Sequence, residues 1–255
     1  MTAAAGATLA LARRETRRFF RERTRVLGAL LQPLLFWAFF AAGLQPSFRL
    51  AGGGDYGAYL LPGITILVLL FTAIFSTISV IEDRREGFLQ GVLVAPLPRS
   101  AVVAGKILGG TVLATAQAAF ILVLAPIAGV RPGPLAIAAA IAFCFVLGFG
   151  LTSLSLAIAW PMRSTQGFHA IMTVFLMPLW LLSGAFFPAD GVPPWLGFLM
   201  RLDPLTYGVT ALRRLIGAPA TGSMASALAI TLLFVAASFA FAIAVTHRRD
   251  GAHAG

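Results

Sequence analysis

Residues 59–81 read Y-L-L-P-G-I-T-I-L-V-L-L-F-T-A-I-F-S-T-I-S-V-I, an apolar run without Asp, Glu, Lys or Arg. Such a run is typical of a helix that crosses a bilayer, because about 20 residues at roughly 1.5 Å each span a hydrocarbon core about 30 Å thick. Backbone polar groups in lipid must be hydrogen-bonded internally, which a helix achieves. This stretch therefore predicts a transmembrane helix.

Five further runs share this character, at 26–44, 107–130, 135–160, 168–187 and 224–245. Apolar residues make up 59% of the 255 positions and charged residues 11%, against roughly 45–50% and about 25% in soluble domains. We therefore expect one all-α polytopic membrane domain over residues 1–255, with six transmembrane helices.

The net charge of +10 is concentrated at the ends of these runs, which favours a membrane rather than nucleic acid as its partner. Most of the 19 basic residues precede the first run, lie in the second and fourth loops or follow the last run. The positive-inside rule then places both termini and the loop at 82–106 in the cytoplasm, with the protein in the cell membrane.

The first 25 residues predict an amphipathic helix in the membrane interface. Apolar or small side chains follow i, i+3, i+4 spacing, and arginines on the opposite arc suit anionic headgroups. The first set is Leu9, Ala12, Thr16, Phe19 and Phe20, and the second is Arg13, Arg14, Arg17, Arg18, Arg21 and Arg25. A basic tail that only sets the topology is the alternative.

Residues 82–99 combine mixed charges with a short apolar helix that ends at two prolines. One face of this helix would carry Phe88, Leu89, Val92 and Leu93. A loop in water gains nothing from such a stripe unless the stripe packs on another protein or on the inner leaflet. We favour a docking element for a partner protein and keep the leaflet as the alternative.

Residues 193–216 predict two short helices that begin at prolines. Both are too short to span and too apolar for a free loop, so we expect them to dip into the outer leaflet and close an exit. Headgroup-level anchors would be Trp195 and Tyr207, and the side chains expected to reach water or phosphate are Arg201, Arg213 and Arg214. A surface loop without a gating role is the alternative.

The sequence offers no catalytic residues and no metal ligands. Three histidines supply no serine dyad on facing spans, and both H-E-x-x-H spacing and a phosphate loop are missing. Gly105 and Gly109 instead form G-x-x-x-G, which predicts close helix packing. The apolar runs lack Asp, Glu, Lys and Arg, and His169 at the start of the fifth run is only a marginal candidate for ion coupling, so we expect the energy source outside this chain. An ion-coupled efflux carrier and a static assembly protein remain alternatives.

Three segments carry recognisable motifs. Within 82–99 the matching residues are Glu82, Glu86, Gly87, Leu89, Pro96 and Arg99, while Phe88 and Gln90 stand where Thr and Glu are common. The run L-S-G-A-F-F-P at 182–188 ends the fifth predicted span. The third segment matches at Pro194, Trp195, Leu196, Pro204, Leu205, Thr206, Tyr207 and Arg213. Together these segments resemble permeases of ABC-2 type transporters, the type V exporter architecture, and are most similar to the drug-export branch.

The resemblance implies a permease half that pairs with a second copy or a paralogue and with two separate ATP-binding subunits. ATP and Mg²⁺ would bind to those subunits, and no cofactor is expected in this chain. The resemblance also implies that the ATPase docks on the interfacial helix and on a coupling helix at 82–99, and that 193–216 caps the exit. The implied cargo is hydrophobic, drug-like or lipid, with lipid-linked glycans as the alternative.

Overall fold

The computed structural model describes residues 3–21, 23–45, 55–88, 91, 98–189 and 191–248. Its helices are α1 (Ala3–Arg21), α2 (Arg23–Leu44), α3 (Tyr56–Arg85), α4 (Arg99–Val123), α5 (Pro134–Ala159), α6 (Thr165–Trp180), α7 (Pro194–Leu202), α8 (Pro204–Ile216) and α9 (Met224–Arg248). A π-helix, Leu181–Ala185, continues α6. The ranges just given contain no β-strand, and the all-α prediction is confirmed.

Five helices are long and apolar enough to cross a membrane, namely α3, α4, α5, α6 with its π-helix, and α9. A sixth apolar helical stretch, Leu30–Leu44 within α2, is shorter. Each of these corresponds to one of the six predicted runs. The end of the bundle where α3 ends and α4 begins, next to α1, is called the basic end below, and the end that holds α7 and α8 is called the opposite end.

Helix α3, which contains the run quoted first, lies at the centre of the fold. In its most apolar 18-residue window 83% of residues are buried, against 17% in the peripheral α9. Asp55 caps its first turn, because the carboxylate accepts a hydrogen bond of 2.7 Å from the backbone N–H of Gly57. Helices α2, α4, α5 and α6 pack around it. Close side-chain packing of this kind is what holds spanning helices together in lipid.

Two helix boundaries correct the predicted spans. Helix α3 continues past Ile81 to Arg85, because the first break is Gly87 with a positive φ of 77°. Glu82 therefore lies on the last turn of a spanning helix and not in the coupling segment. Helix α4 begins directly after Pro98 and ends before Pro126, so the predicted span at 107–130 lies too far along the chain.

Two glycines of α4 bring α1 into close contact, as the G-x-x-x-G pattern predicts. A Cβ atom on Gly105 would lie 2.8 Å from the Cβ of Leu11 and 2.9 Å from the carbonyl oxygen of Thr8. A Cβ atom on Gly109 would lie 2.7 Å from the Cβ of Glu15. Because any side chain here would separate the two helices, these glycines form a notch in which α1 lies.

At the opposite end, α8 lies alongside the spans. The space next to Gly208 is closed by the side chains of Ile66 and Leu147. These two residues are ten and thirteen positions into α3 and α5, or about 15 and 20 Å along them at 1.5 Å per residue. The first turns of α8 therefore lie beside the middle of α5 and about a third of the way along α3.

Candidate functional site

Five charged side chains from three helices form a buried ion cluster at the basic end: Arg14, Glu15 and Arg18 of α1, Asp83 of α3 and Lys106 of α4. The carboxylate of Asp83 is fully buried and accepts hydrogen bonds from Arg14 at 3.1 and 3.0 Å, Arg18 at 2.7 Å and Lys106 at 2.6 Å. Lys106 also donates to Glu15 at 2.9 Å, and so does Arg14 at 3.0 Å. Each buried charge thus has a charged partner.

Pairing is what permits this burial, because an isolated ion away from water costs several kcal/mol. The hydrogen bond to Asp83 raises the pKa of Arg14 although its partial burial acts in the opposite direction. At the rim, Arg18 donates to Glu82 at 2.9 Å. The cluster therefore fixes α1 to α3 and α4 by charge, next to the glycine notch that admits it.

The structure corrects the predicted faces of α1. Arg14 and Arg18 point to Asp83 and not to headgroups, while Leu9 of the predicted apolar stripe is 61% exposed. The buried side chains of this helix are Leu11, Glu15 and Phe19. The i, i+3, i+4 spacing does not predict the buried face of α1, because α1 packs on a protein surface that carries a charge. Arg13, Arg17 and Arg21 are exposed, and the side chains of Phe20 and Arg25 lie outside the described residues.

The segment at 82–99 is described only in part. Phe88 lies under Arg14, with the guanidinium carbon 3.7 Å from the ring centroid, which is a cation–π contact. Glu86 is exposed and lies 3.9 Å from Arg18. Arg99 is the first residue of α4. Four predicted docking residues, Leu89, Val92, Leu93 and Pro96, lie outside the described residues, so their shared face stays a prediction.

Sequence reasoning missed Glu15, Asp83 and Lys106. Lys106 is the only lysine of the chain and stands in an otherwise apolar helix next to Gly105. A lone cation in that position requires a carboxylate, which is a signal the sequence does contain. Two further missed contacts fix the end of α3, where Arg84 and Arg85 donate at 3.0 Å each to the backbone carbonyls at 162 and 163.

At the opposite end, polar side chains bind the backbone where α6 gives way to the π-helix. Gly184 has a positive φ of 72°, which breaks the helical hydrogen-bond pattern. The hydroxyl of Tyr59 donates to the carbonyl of Gly184 at 2.8 Å, and the hydroxyl of Tyr56 donates to the carbonyl of Phe186 at 2.8 Å. The indole of Trp180 donates to the backbone of α3, also at 2.8 Å. These contacts hold the π-helix against the first turns of α3.

Arg213 joins the same cluster, which corrects the prediction that it reaches water or phosphate. Its guanidinium is buried, donates to the carbonyls of Gly184 at 2.8 Å and Tyr59 at 3.2 Å, and lies 3.7 Å from the centroid of the Tyr59 ring. Carbonyl dipoles and a ring face therefore stabilise this cation in place of a carboxylate. Arg201 and Arg214 are exposed.

The hairpin between α7 and α8 contains a buried carboxyl group, Asp203. One oxygen caps α8 by accepting a hydrogen bond from the backbone N–H of Leu205 at 2.9 Å, and the other oxygen has no partner among the residues that the structure describes. Thr206 and Tyr207 donate to backbone carbonyls of α7 and close the hairpin. Trp195 is 64% exposed, which suits an interfacial anchor. Leu196 is half-buried, and Pro194 and Pro204 occupy the first turns of their helices.

We predict that Asp83→Asn lowers the free energy of unfolding by about 3–5 kcal/mol, because three cations then face a neutral amide in a buried site. Thermal unfolding of the purified protein measures this loss. Glu86→Gln is the matched control, because that side chain is 63% exposed, and its effect should stay below about 1 kcal/mol. Adding Lys106→Met to Asp83→Asn should recover part of the stability. Equal losses for Asp83→Asn and Glu86→Gln would contradict the prediction.

A second prediction concerns pH. Burial raises the pKa of Asp203 to about 7, although the hydrogen bond from Leu205 lowers it. A carboxyl group with a raised folded pKa contributes stability that is complete below its unfolded pKa of about 3.9 and is lost as the pH rises through about 7. Between pH 5.5 and pH 8 the free energy of unfolding should therefore fall by about 2 kcal/mol through this group.

Asp203→Asn keeps a good helix cap and should remove that pH-dependent fraction, which thermal unfolding at the two pH values would show. Asp55→Asn serves as the control, because Asp55 also caps a helix but is exposed. The same slope in the wild type and in Asp203→Asn would refute the assignment.

The sequence of this chain is similar to those of known transport proteins. The family model of the ABC-2 type transporter matches residues 6–217. The chain is 30% identical over 197 residues to ycf38 of Cyanophora paradoxa, which is named a transport permease. The aligned residues are 76% of this chain and 68% of that protein. It is 27% identical over 158 residues to YbhR of Escherichia coli strain K12, named a multidrug ABC transporter permease, over 60% of this chain and 42% of that one.

A further relative is DrrB1 of Streptomyces coeruleorubidus, named a daunorubicin resistance ABC transporter permease protein. It is 23% identical over 193 residues, which are 75% of this chain and 68% of that protein. The family match covers most of the chain, and the apolar helices agree with it. The chain therefore belongs to the ABC-2 type transporter family, as a multi-pass membrane transport permease and not an enzyme.

Proposed function

We propose that this chain is one half of an ATP-driven exporter in the cell membrane, with both termini in the cytoplasm. Two copies, or one copy and a paralogue, would enclose the pathway, and two separate ATP-binding subunits would bind ATP and Mg²⁺. The buried ion cluster is the observation that carries the proposal. A helix that only rested on headgroups would not need a buried carboxylate of a spanning helix, so the cluster supports α1 as a mechanical connection to α3 and α4.

The position of the charges supports an external energy source. Asp83 lies two residues from the end of α3 and Lys106 lies two turns into α4, and Asp83 accepts hydrogen bonds from three cations of this chain. An ion-coupled carrier needs a carboxylate that takes up and releases its ion during turnover. A carboxylate occupied by three side chains is poorly suited to that task, which favours ATP over an ion gradient.

We propose a hydrophobic cargo, drug-like or lipid, and keep a lipid-linked glycan as the alternative. Two relatives carry multidrug and daunorubicin resistance in their names. Helices α2 and α6 expose apolar side chains, namely Leu31, Leu35, Phe39, Val174 and Phe175. In the proposed dimer these faces would meet the second permease and border an apolar pathway.

Transport in proteoliposomes that contain the permease and its ATP-binding subunit tests the energy source. We expect uptake of a hydrophobic dye into inside-out vesicles to require ATP and to persist in the presence of a proton ionophore. The control replaces the phosphate-loop lysine of the ATP-binding subunit, which should abolish uptake. Uptake that is abolished by the ionophore and indifferent to ATP would show that the chain is a secondary carrier.

We further propose that the coupling helix binds the ATPase through its apolar face. Phe88→Ala and Leu89→Ala should each weaken subunit association about tenfold or more, because truncating a buried interface anchor typically costs on the order of 2 kcal/mol. Co-purification and equilibrium binding of the subunits measure this effect. The controls Glu82→Ala and Glu86→Ala should act more weakly, since rim ion pairs contribute about 0–1 kcal/mol. Undiminished binding by the double variant Phe88→Ala/Leu89→Ala would exclude this surface.

The hairpin at 193–216 is proposed to dip into the outer leaflet and close the exit. The position of α8 beside the middle of α5 and the first third of α3, together with the burial of Arg213, supports this proposal. Both features place part of α8 against the spanning helices, whereas a surface loop would not bury Arg213.

Thiol labelling tests the gate in a Cys144→Ala background, because Cys144 is the only cysteine. Cysteines at Leu199 and Val209 should resist a membrane-impermeant maleimide at rest, and Val209 should become reactive during ATP turnover. A cysteine at Thr221, in the exposed loop after α8, is the control that should react throughout. Full labelling at Leu199 and Val209, unchanged across the ATPase cycle, would rule out the gate.

A further inference from the structure

One face of α6 exposes polar side chains well into the spanning part of the helix. Gln166, His169 and Thr173 are exposed, and their i, i+3, i+7 spacing places them on one face. They extend from the first turn of α6 to about 12 Å along it, at 1.5 Å per residue. These three residues are called the polar strip below.

The other helices at the surface of the bundle do not expose polar groups in this way. Every exposed side chain is apolar over 101–123 of α4, 136–159 of α5 and 227–246 of α9. Helix α9 buries its hydroxyl groups, among them those of Thr231 and Ser238. This is the pattern expected of helices that face lipid, where a polar group without a partner is costly. The polar strip does not follow this pattern and therefore does not suit a surface covered by acyl chains.

The imidazole of His169 ends a ladder of stacked rings that begins on α3. The ring centroids of Phe71 and Phe75 are 6.1 Å apart at an interplanar angle of 21°, and those of Phe75 and His169 are 5.9 Å apart at 19°. Over 56–81 of α3, all residues except Phe71, Phe75 and Ser76 are buried. The central helix is thus open at the surface only where the ladder lies.

The ladder and the strip together favour a flat aromatic ligand over an acyl chain. Phe75 covers one face of the His169 imidazole, and the exposed side chain can offer its other face. A planar ring on that face would continue the stacking, whereas an acyl chain has no ring face to contribute. The ring nitrogens of His169 and the hydroxyl of Thr173, one turn further along the same face, can hydrogen-bond to a polar substituent of such a ring.

We propose that the polar strip binds the cargo, and that the cargo is a planar aromatic compound with a hydrogen-bonding substituent. Its ring system stacks on His169 and extends the ladder of Phe71 and Phe75, while Thr173 hydrogen-bonds to the substituent. This inference rests on the proposed exporter function, whose pathway the strip would border. It selects the drug-like class over lipid as the cargo.

Equilibrium dialysis of the permease in complex with its ATP-binding subunit, in lipid nanodiscs, tests the proposal. The probes are 1-hydroxypyrene and pyrene, and empty nanodiscs correct for partition into lipid. We expect saturable binding of 1-hydroxypyrene. His169→Leu should weaken this binding about threefold to tenfold because a stacking surface is lost, and His169→Phe, which keeps a ring, should retain most of it. Thr173→Val should abolish the preference for 1-hydroxypyrene over pyrene, which should be about fivefold in the wild type, the effect of one hydrogen bond.

Phe241→Leu is the matched control, because it removes an exposed ring from α9, which has no polar strip. Absence of saturable binding, unchanged affinity in both His169→Leu and Thr173→Val, or an equal loss in Phe241→Leu would overturn the proposal. Size-exclusion chromatography of the same variants gives a further check, since dissociation of the two permease copies by His169→Leu would identify the strip as an interface between copies instead. The dialysis requires no ATP, so uptake that is indifferent to ATP would contradict the exporter function and leave the binding site intact.

Discussion

The arrangement of the basic end depends on neutralising one carboxylate, that of Asp83, on the central spanning helix. A buried ion without partners would cost several kcal/mol, and the three cations that pair with it come from two other helices. They reach it only if α1 lies directly against α4, which Gly105 and Gly109 permit. The glycine notch and the ion cluster are thus two parts of one contact. Helix α1 is consequently fixed to the spans and not merely adsorbed to headgroups.

At the opposite end buried polar groups are also paired, but the acceptors there are neutral backbone carbonyls. The π-helix and the positive φ of Gly184 leave carbonyl groups without their usual helical partners, and such groups are costly away from water. Tyr56, Tyr59 and Arg213 donate to them. In return the carbonyls stabilise a buried guanidinium, so neither group needs an ion-pair partner. An irregular end of a spanning helix and a buried arginine therefore require each other.

The lipid environment determines which parts of this structure could be predicted from the sequence. A spanning helix must have a minimum length and an apolar composition, so the six apolar runs predict the spanning helices. Prolines predict where α7 and α8 begin. Periodicity predicts the helix α1 but not its faces, because the partner of Arg14 lies 69 residues away on Asp83. Arg213 was expected in solvent for a similar reason, since its acceptors on Tyr59 and Gly184 are distant in sequence. A lone ion such as Lys106 indicates that a partner exists, but the local sequence does not show which distant residue it is.

Helix α3 connects the two polar clusters. It has 30 residues, about 45 Å at 1.5 Å per residue, with Asp83 near one end and Tyr59 near the other. Its middle is close-packed and apolar, and Pro62 interrupts the backbone hydrogen bonds of the helix one turn after Tyr59. If ATP-binding subunits displace α1, the displacement reaches Asp83 first. The contacts of Tyr59 with Gly184 and Arg213 lie about 36 Å further along the same helix, at 1.5 Å per residue.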